Sequence, residues 1–183
     1  MKNIEEIMRD FIQILNLLDI DYVIIGGIAV NCWGNIRTTR DIDVIIDLKD
    51  IGKFVKKLEE KGFKVKIEDI EKALQEKSHF TIFDEEYLYH IDVKGAYSKR
   101  EKESLKTKKD VKIDDFVIYI SSPEDTIANK LLYGSEQDIK DAESIYIRQK
   151  EKIDFSYLEK RCKELDVYEE YKEMVKKIRE YIN

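Results

Sequence analysis

Asp41 and Asp43, separated by one residue, are the pair in this chain best suited to chemistry. They open the run Asp41-Ile42-Asp43-Val44-Ile45-Ile46-Asp47, whose β-branched composition predicts a buried strand over 41–47. Successive strand residues face opposite sides, so both carboxylates project from one face while Ile42 and Val44 go to the other. Two negative groups side by side are unfavourable without a cation between them, and hard divalent ions such as Mg²⁺ are the usual partners of carboxylate oxygens. The pair therefore predicts a metal site. The competing reading is that one or both acids cap the strand or pair with Arg37 or Arg40.

Upstream, Gly26-Gly27 closes the run Asp21-Tyr22-Val23-Ile24-Ile25, where a strand gives way to a helix. Backbone N–H groups at such a turn can face an anion, although a tight turn also uses Gly simply to avoid a Cβ clash. With Gly26-Gly27 followed by Asp41-Ile42-Asp43, the chain resembles the DNA polymerase β-like nucleotidyltransferase superfamily, whose pattern is a Gly-Gly or Gly-Ser turn, a spacer and an Asp-x-Asp strand. Within it, Gly27 to Asp43, with the Arg37-Thr38-Thr39-Arg40 approach, looks like the AbiEii/AbiGii and MenT group of toxin-type nucleotidyltransferases. The similarity extends to Ser122-Pro123-Glu124-Asp125-Thr126-Ile127-Ala128-Asn129-Lys130-Leu131, with Asp138 and Asp141 downstream.

The resemblance implies transfer of a nucleotide from an NTP to a hydroxyl of RNA, tRNA included, or of protein, with release of pyrophosphate. It implies two ions, Mg²⁺ or Mn²⁺, about 3.5 to 4 Å apart. Asp41 and Asp43 would hold both, and a third carboxylate would come from a neighbouring strand. Asp92 in Tyr89-His90-Ile91-Asp92-Val93 suits that role best. Asp47 lies about 6 to 7 Å beyond Asp43 along the strand, and Asp84 adjoins a turn, so both are weaker choices. Gly26, Gly27, Arg37, Arg40 and Lys130 are the implied nucleotide-binding residues, and Asp138 and Asp141 would orient Lys130 or the acceptor. A toxin or antitoxin partner also follows from the resemblance. Two positions depart from pattern: Ile28 stands where many members have serine, and Gln137 stands where a basic residue is expected before Asp138. They motivate an alternative, a catalytically degenerate protein that binds nucleotide or a toxin–antitoxin partner.

The elements that must hold these residues read as an α/β (α+β) fold, a mixed β-sheet core flanked by helices. Apolar residues at helical spacing predict a helix over 3–18, and another from the glycines to about Trp33. Ile51, Phe54, Val55 and Leu58 mark a helix that stops near Gly62. Further strands are expected at 63–67, 79–84, 87–93 and 116–120. Ser122-Pro123-Glu124-Asp125 supplies a cap, a first-turn proline and first-turn acids for a helix that Gly134 ends. Three more helical periods follow around 139–146, 155–165 and 171–178. The expected division is a nucleotidyltransferase core, 1–120, and a C-terminal helical subdomain, 121–183.

With 33 basic and 39 acidic residues the net charge is -6, which excludes binding of polyanions through global charge. Lys99 to Lys112 is the one basic concentration, seven bases against three acids, but it lacks interleaved aromatics for stacking bases and reads as a solvated loop or edge. Cys32 and Cys162 lack CxxC or Cys/His spacing, so two reduced structural thiols are expected rather than a disulfide or zinc site. His79 and His90 lie in strand patterns without zinc spacing and read as packed or hydrogen-bonded. GxxxxGK[ST] and strand-linked GxGxxG loops are absent. Residues 1–9 carry acids in an amphipathic pattern rather than a leader, and no run approaches the roughly 18 apolar residues of a membrane span, so a cytoplasmic protein is expected.

Overall fold

Strand alternation and β-branched runs build the sheet that carries the aspartates. The computed structural model describes residues 2–86 and 89–182. Within them, β1 (Tyr22–Ile24), β2 (Asp41–Ile46), β3 (His79–Phe83), β4 (His90–Gly95), β5 (Lys109–Ile113) and β6 (Phe116–Ile120) form one mixed sheet, in the order β3-β4-β2-β1-β6-β5. β2 runs antiparallel to β1 and parallel to β4, β3 is antiparallel to β4, β1 is parallel to β6, and β5 closes the far edge antiparallel to β6. This is the expected mixed α/β class.

Nine helices accompany the sheet among the described residues: α1 (Ile4–Leu17), α2 (Gly26–Trp33), α3 (Ile51–Glu60), α4 (Ile67–Glu76), α5 (Lys99–Thr107), α6 (Pro123–Tyr133), α7 (Glu136–Gln149), α8 (Phe155–Glu164) and α9 (Tyr168–Ile182). No helix among the described residues is long and apolar enough to cross a membrane.

The chain forms two compact units, residues 1–28 with 38–121, and residues 29–37 with 122–183. In the first, α1 opens with a capping box of Asn3 and Glu6 and buries Ile7, Phe11 and Leu15. Phe11 meets Phe54 of α3 and Phe63 edge-on, each with ring centroids 6.3 Å apart. Asp50 caps α3 by accepting from the Lys53 N–H, and Gly62 follows the helix at φ +85°. In the second unit, Val30 of α2 joins Ile127, Leu131, Ala142, Ile145, Leu158 and Met174 in one apolar cluster, which is why residues 29–37 group with the C-terminal helices.

Three expectations are corrected. The strand expected at 63–67 is a single bridge from Lys64 to Phe83, and Ile67 instead opens α4. Phe63, Val65 and Ile67 imitate strand alternation, but Ile70 and Ala73 carry the buried face of a helix. The strand expected at 87–93 begins at His90 and continues to Gly95, while residues 87 and 88 lie outside the described set. The basic segment 99–112, expected as a solvated loop or edge, is an edge strand only in its second half, β5; in its first half Ser98 and Glu101 form a capping box that starts α5.

Candidate functional site

β2 and β4 each send alternate side chains to the same face of the sheet. In β2, Ile42 is 0% and Val44 1% exposed, which fixes that side as the buried one and leaves Asp41 and Asp43, both partly exposed, on the other. β4 repeats the pattern with Ile91 and Val93 buried and His90 and Asp92 partly exposed. The parallel register sets Asp41 opposite His90 and Asp43 opposite Asp92. The three expected acids therefore share one face of two adjacent strands, together with His90.

The carboxylates are seated differently. Asp92 accepts a hydrogen bond from Thr81 Oγ1 of β3 at 2.7 Å. His90 Nε2 lies 3.1 Å from Asp41 Oδ1 and 3.6 Å from Asp92 Oδ2. Asp43 is turned toward the Gly26 turn: a Cβ on Gly26 would stand 2.0 Å from Asp43 Oδ2 and 2.7 Å from its Cγ. Gly26 also holds φ +64°, the left-handed region. Glycine here thus serves two needs, the turn into α2 and the space the Asp43 carboxylate fills. The Ile25 N–H donates to the Asp43 carbonyl at 2.9 Å, tying the end of β1 to β2 at that point.

Because Asp43 faces Gly26 while Asp41 and Asp92 face His90, no set of three or more His, Cys, Asp or Glu side chains among the described residues is already gathered around one metal position. The donor chemistry nevertheless fits a divalent ion. Three carboxylates lie on one face of paired strands, and the backbone beside Asp43 is kept free of a side chain.

The remaining predicted residues fall elsewhere. Gly27 is buried at the start of α2, and Arg40 is exposed. Arg37 and Lys130 belong to a charged cluster in the second unit. Lys130, about 10% exposed at its side chain, places Nζ 2.6 Å from Asp138 Oδ1 and 3.1 Å from Asp141 Oδ2. Arg37 Nη2 is 3.2 Å from Asp141 Oδ2. Gln137 donates to Asp141 Oδ1 at 2.8 Å, so the residue found in place of the expected base steadies an acid. Burial alone would raise the Asp138 carboxyl, but Lys130 and Ser135 hold it below its ordinary value. Asp138 is also the capping-box partner of Ser135 at the start of α7.

Asp47 is exposed one residue past β2. Asp84 is buried, accepting from the Glu86 and Tyr89 N–H groups in a turn. His79 is exposed on β3. Sequence reasoning treated His90 as a packed or hydrogen-bonded residue; its position two residues before Asp92, hence on the same strand face, was the signal that joined it to the acids.

Residues 2–183 match the family model described as nucleotidyltransferase of unknown function (DUF6036). No curated protein matches the chain in sequence. Among solved structures it is similar to ANT(2")-Ia in complex with adenylyl-2"-tobramycin, with TM-score 0.62 and 13% identity over 88% of this chain and 95% of that one. It is also similar to the lincomycin-bound lincosamide antibiotic adenylyltransferase LnuA, with TM-score 0.53 and 19% identity over 78% and 96%. An antigenic nucleotidyltransferase-like protein from Paracoccidioides brasiliensis gives TM-score 0.53 and 21% identity over 76% and 74%. At these identities the likeness is one of fold.

Proposed function

Because the chain belongs to the DUF6036 family of nucleotidyltransferases, we propose that it transfers a nucleotide from an NTP to an acceptor hydroxyl at the Asp41, Asp43 and Asp92 face of its sheet. The observation that supports this reading is the register that pairs Asp43 with Asp92 beside a glycine whose missing side chain makes room for Asp43. In this proposal Asp41, Asp43 and Asp92 hold divalent ions, Mg²⁺ or Mn²⁺. Such ions, when bound, lower the pKa of a coordinated hydroxyl and offset charge on the phosphates.

The chain's own residues do the rest. Gly26 and Gly27 are assigned to the phosphates by the superfamily resemblance; they stand at the start of α2, where N–H groups lack intrahelical partners, with the Asp43 carboxylate against Gly26. Thr81 fixes the Asp92 carboxylate through the hydrogen bond to its Oδ1. Lys130, Arg37 and Arg40 are assigned to the triphosphate by the superfamily resemblance. The acceptor proposed is RNA, tRNA included, or protein, and the subgroup proposed is the AbiEii/AbiGii and MenT group, with a toxin or antitoxin partner and a cytoplasmic setting. The proposed division of labour keeps transfer in residues 1–120 and gives residues 121–183 to substrate and partner contacts.

A second reading, nucleotide binding without turnover, draws on one observation: Lys130 already pairs with two carboxylates. Incubation with each α-labelled NTP, total RNA and cell-extract protein separates the two. Label appearing in RNA or protein with the wild type but not with Asp41→Ala supports transfer. Retained nucleotide binding with no label transferred and no pyrophosphate released supports the second reading.

A further inference from the structure

His90 is a nitrogen-bearing group on the aspartate face that neither the sequence motif nor the family description accounts for. It sits on β4 opposite Asp41 and two residues before Asp92, with Nε2 within 3.1 Å of one carboxylate and 3.6 Å of the other. Its ring packs beside Phe83 of β3, with centroids 6.3 Å apart, and its side chain stays about 35% exposed. A side chain whose only purpose was to fill the sheet face would not need a ring nitrogen between two acids. A nitrogen donor among oxygen donors is instead a feature that distinguishes between divalent ions.

We propose that His90 is a nitrogen ligand of the metal centre and biases it toward a first-row transition dication such as Mn²⁺ over Mg²⁺; this rests on the reading of Asp41, Asp43 and Asp92 as metal ligands. Mg²⁺ takes oxygen ligands and dehydrates reluctantly, whereas first-row divalent ions accept imidazole alongside carboxylate. Mn²⁺ is the member of that series at home in a carboxylate-rich set, so it is the natural probe. Thr81, by holding Asp92 Oδ1, leaves the other Asp92 oxygen on the His90 side, so both oxygens of that carboxylate are committed in a defined way.

The full chain loaded with MnCl₂ alone is the sample, and pulsed EPR for ¹⁴N coupling to Mn²⁺ is the readout. Only two histidines are present in the chain, and His79 lies exposed on β3, so His90→Ala isolates the signal. The expected result is imidazole ¹⁴N coupling in the wild type that disappears in His90→Ala. Calorimetric titration should show the same variant losing at least about tenfold in Mn²⁺ affinity while Mg²⁺ affinity changes little. His90→Asn, which offers an amide oxygen in place of the ring nitrogen, should move the preference toward Mg²⁺. Circular dichroism spectra of the variants matching the wild type assure that the fold is kept. Absence of ¹⁴N coupling in the wild type, with Mn²⁺ binding still lost in Asp43→Asn, overturns the role of His90 alone. Mn²⁺ binding that survives both Asp41→Asn and Asp43→Asn overturns the metal-site reading on which it rests.

Discussion

Replacing Gly26 with alanine tests the seat of Asp43 directly. The added Cβ would lie 2.0 Å from Asp43 Oδ2, against an ordinary contact of 3.4 Å or more, so the carboxylate must retreat by more than an ångström. Holding alanine at φ +64° costs about 1 to 2 kcal/mol, which for a chain of this length lowers Tm by about 2 to 8 °C. Misplacing a reacting or metal-holding group by about 1 Å costs on the order of 100-fold in rate. Gly26→Ala should therefore lose activity far beyond what its modest loss of stability explains. Label transfer from α-labelled NTP, measured well below the variant's Tm, reads the first quantity and calorimetric melting the second. Gly52→Ala is the control: its Cβ meets nothing nearer than Asp50 Oδ1 at 3.7 Å in α3, so activity should be unchanged and stability equal or higher by up to about 1 kcal/mol. A Gly26→Ala protein that melts lower but transfers label within threefold of wild type would refute the reasoning.

Three further outcomes follow from the packing. In the second unit Arg161 and Asp125 are 3% and 0% exposed, with Nε 2.6 Å from Oδ1, so Asp125→Ala leaves the buried cation with Glu164 alone, 2.7 Å from Nη1, and should cost up to about 3 kcal/mol in urea unfolding; Asp125→Leu combined with Arg161→Met should recover much of that loss. Burial raises the Glu101 carboxyl, but the Lys94 ion pair at 2.8 Å and the Ser98 hydrogen bonds outweigh it and bring the pKa down to about 2. A depressed folded-state pKa means this contribution, roughly 3 kcal/mol, is full above the unfolded value of 4.5 and fades as pH falls toward 2. Glu101→Gln should flatten the acid limb of stability measured between those values. Burial pushes the Cys162 thiol up to about 12 and also raises Cys32, which is only half-buried, so a thiol reagent at pH 8 should modify Cys32 first and reach Cys162 only on unfolding.

The aspartate face was legible in the sequence because a period-two pattern determines which side chains share a side: Asp41 and Asp43 could not be separated without exposing Ile42 and Val44. The pairing of Asp43 with Asp92 was not readable in that way, since register between β2 and β4 is set across 48 intervening positions by packing of the opposite face. α4 was hidden because Phe63, Val65 and Ile67 alternate, and the helix that follows buries little beyond Ile70 and Ala73. β5 was hidden because an edge strand facing solvent needs no apolar alternation: Lys109, Asp110 and Lys112 are all exposed. The Ser98-x-x-Glu101 capping box was present in the basic segment and marked the start of α5. The pairing of Lys130 with Asp138 and Asp141 was within reach through the resemblance, but the Arg37 that joins them is brought there only by α6, α7 and the residues after α2. The space at Gly26 was likewise beyond sequence reach, because two glycines in a turn look the same whether or not a carboxylate lies against one of them.

The most direct test of nucleotide transfer at this face is anomalous diffraction from crystals soaked with Mn²⁺ and a non-hydrolysable NTP. Manganese peaks within coordination distance of Asp41, Asp43 and Asp92, with the α-phosphate on the same ions, are the predicted result. Nucleotide and metal bound elsewhere, with the three carboxylates untouched, would contradict it.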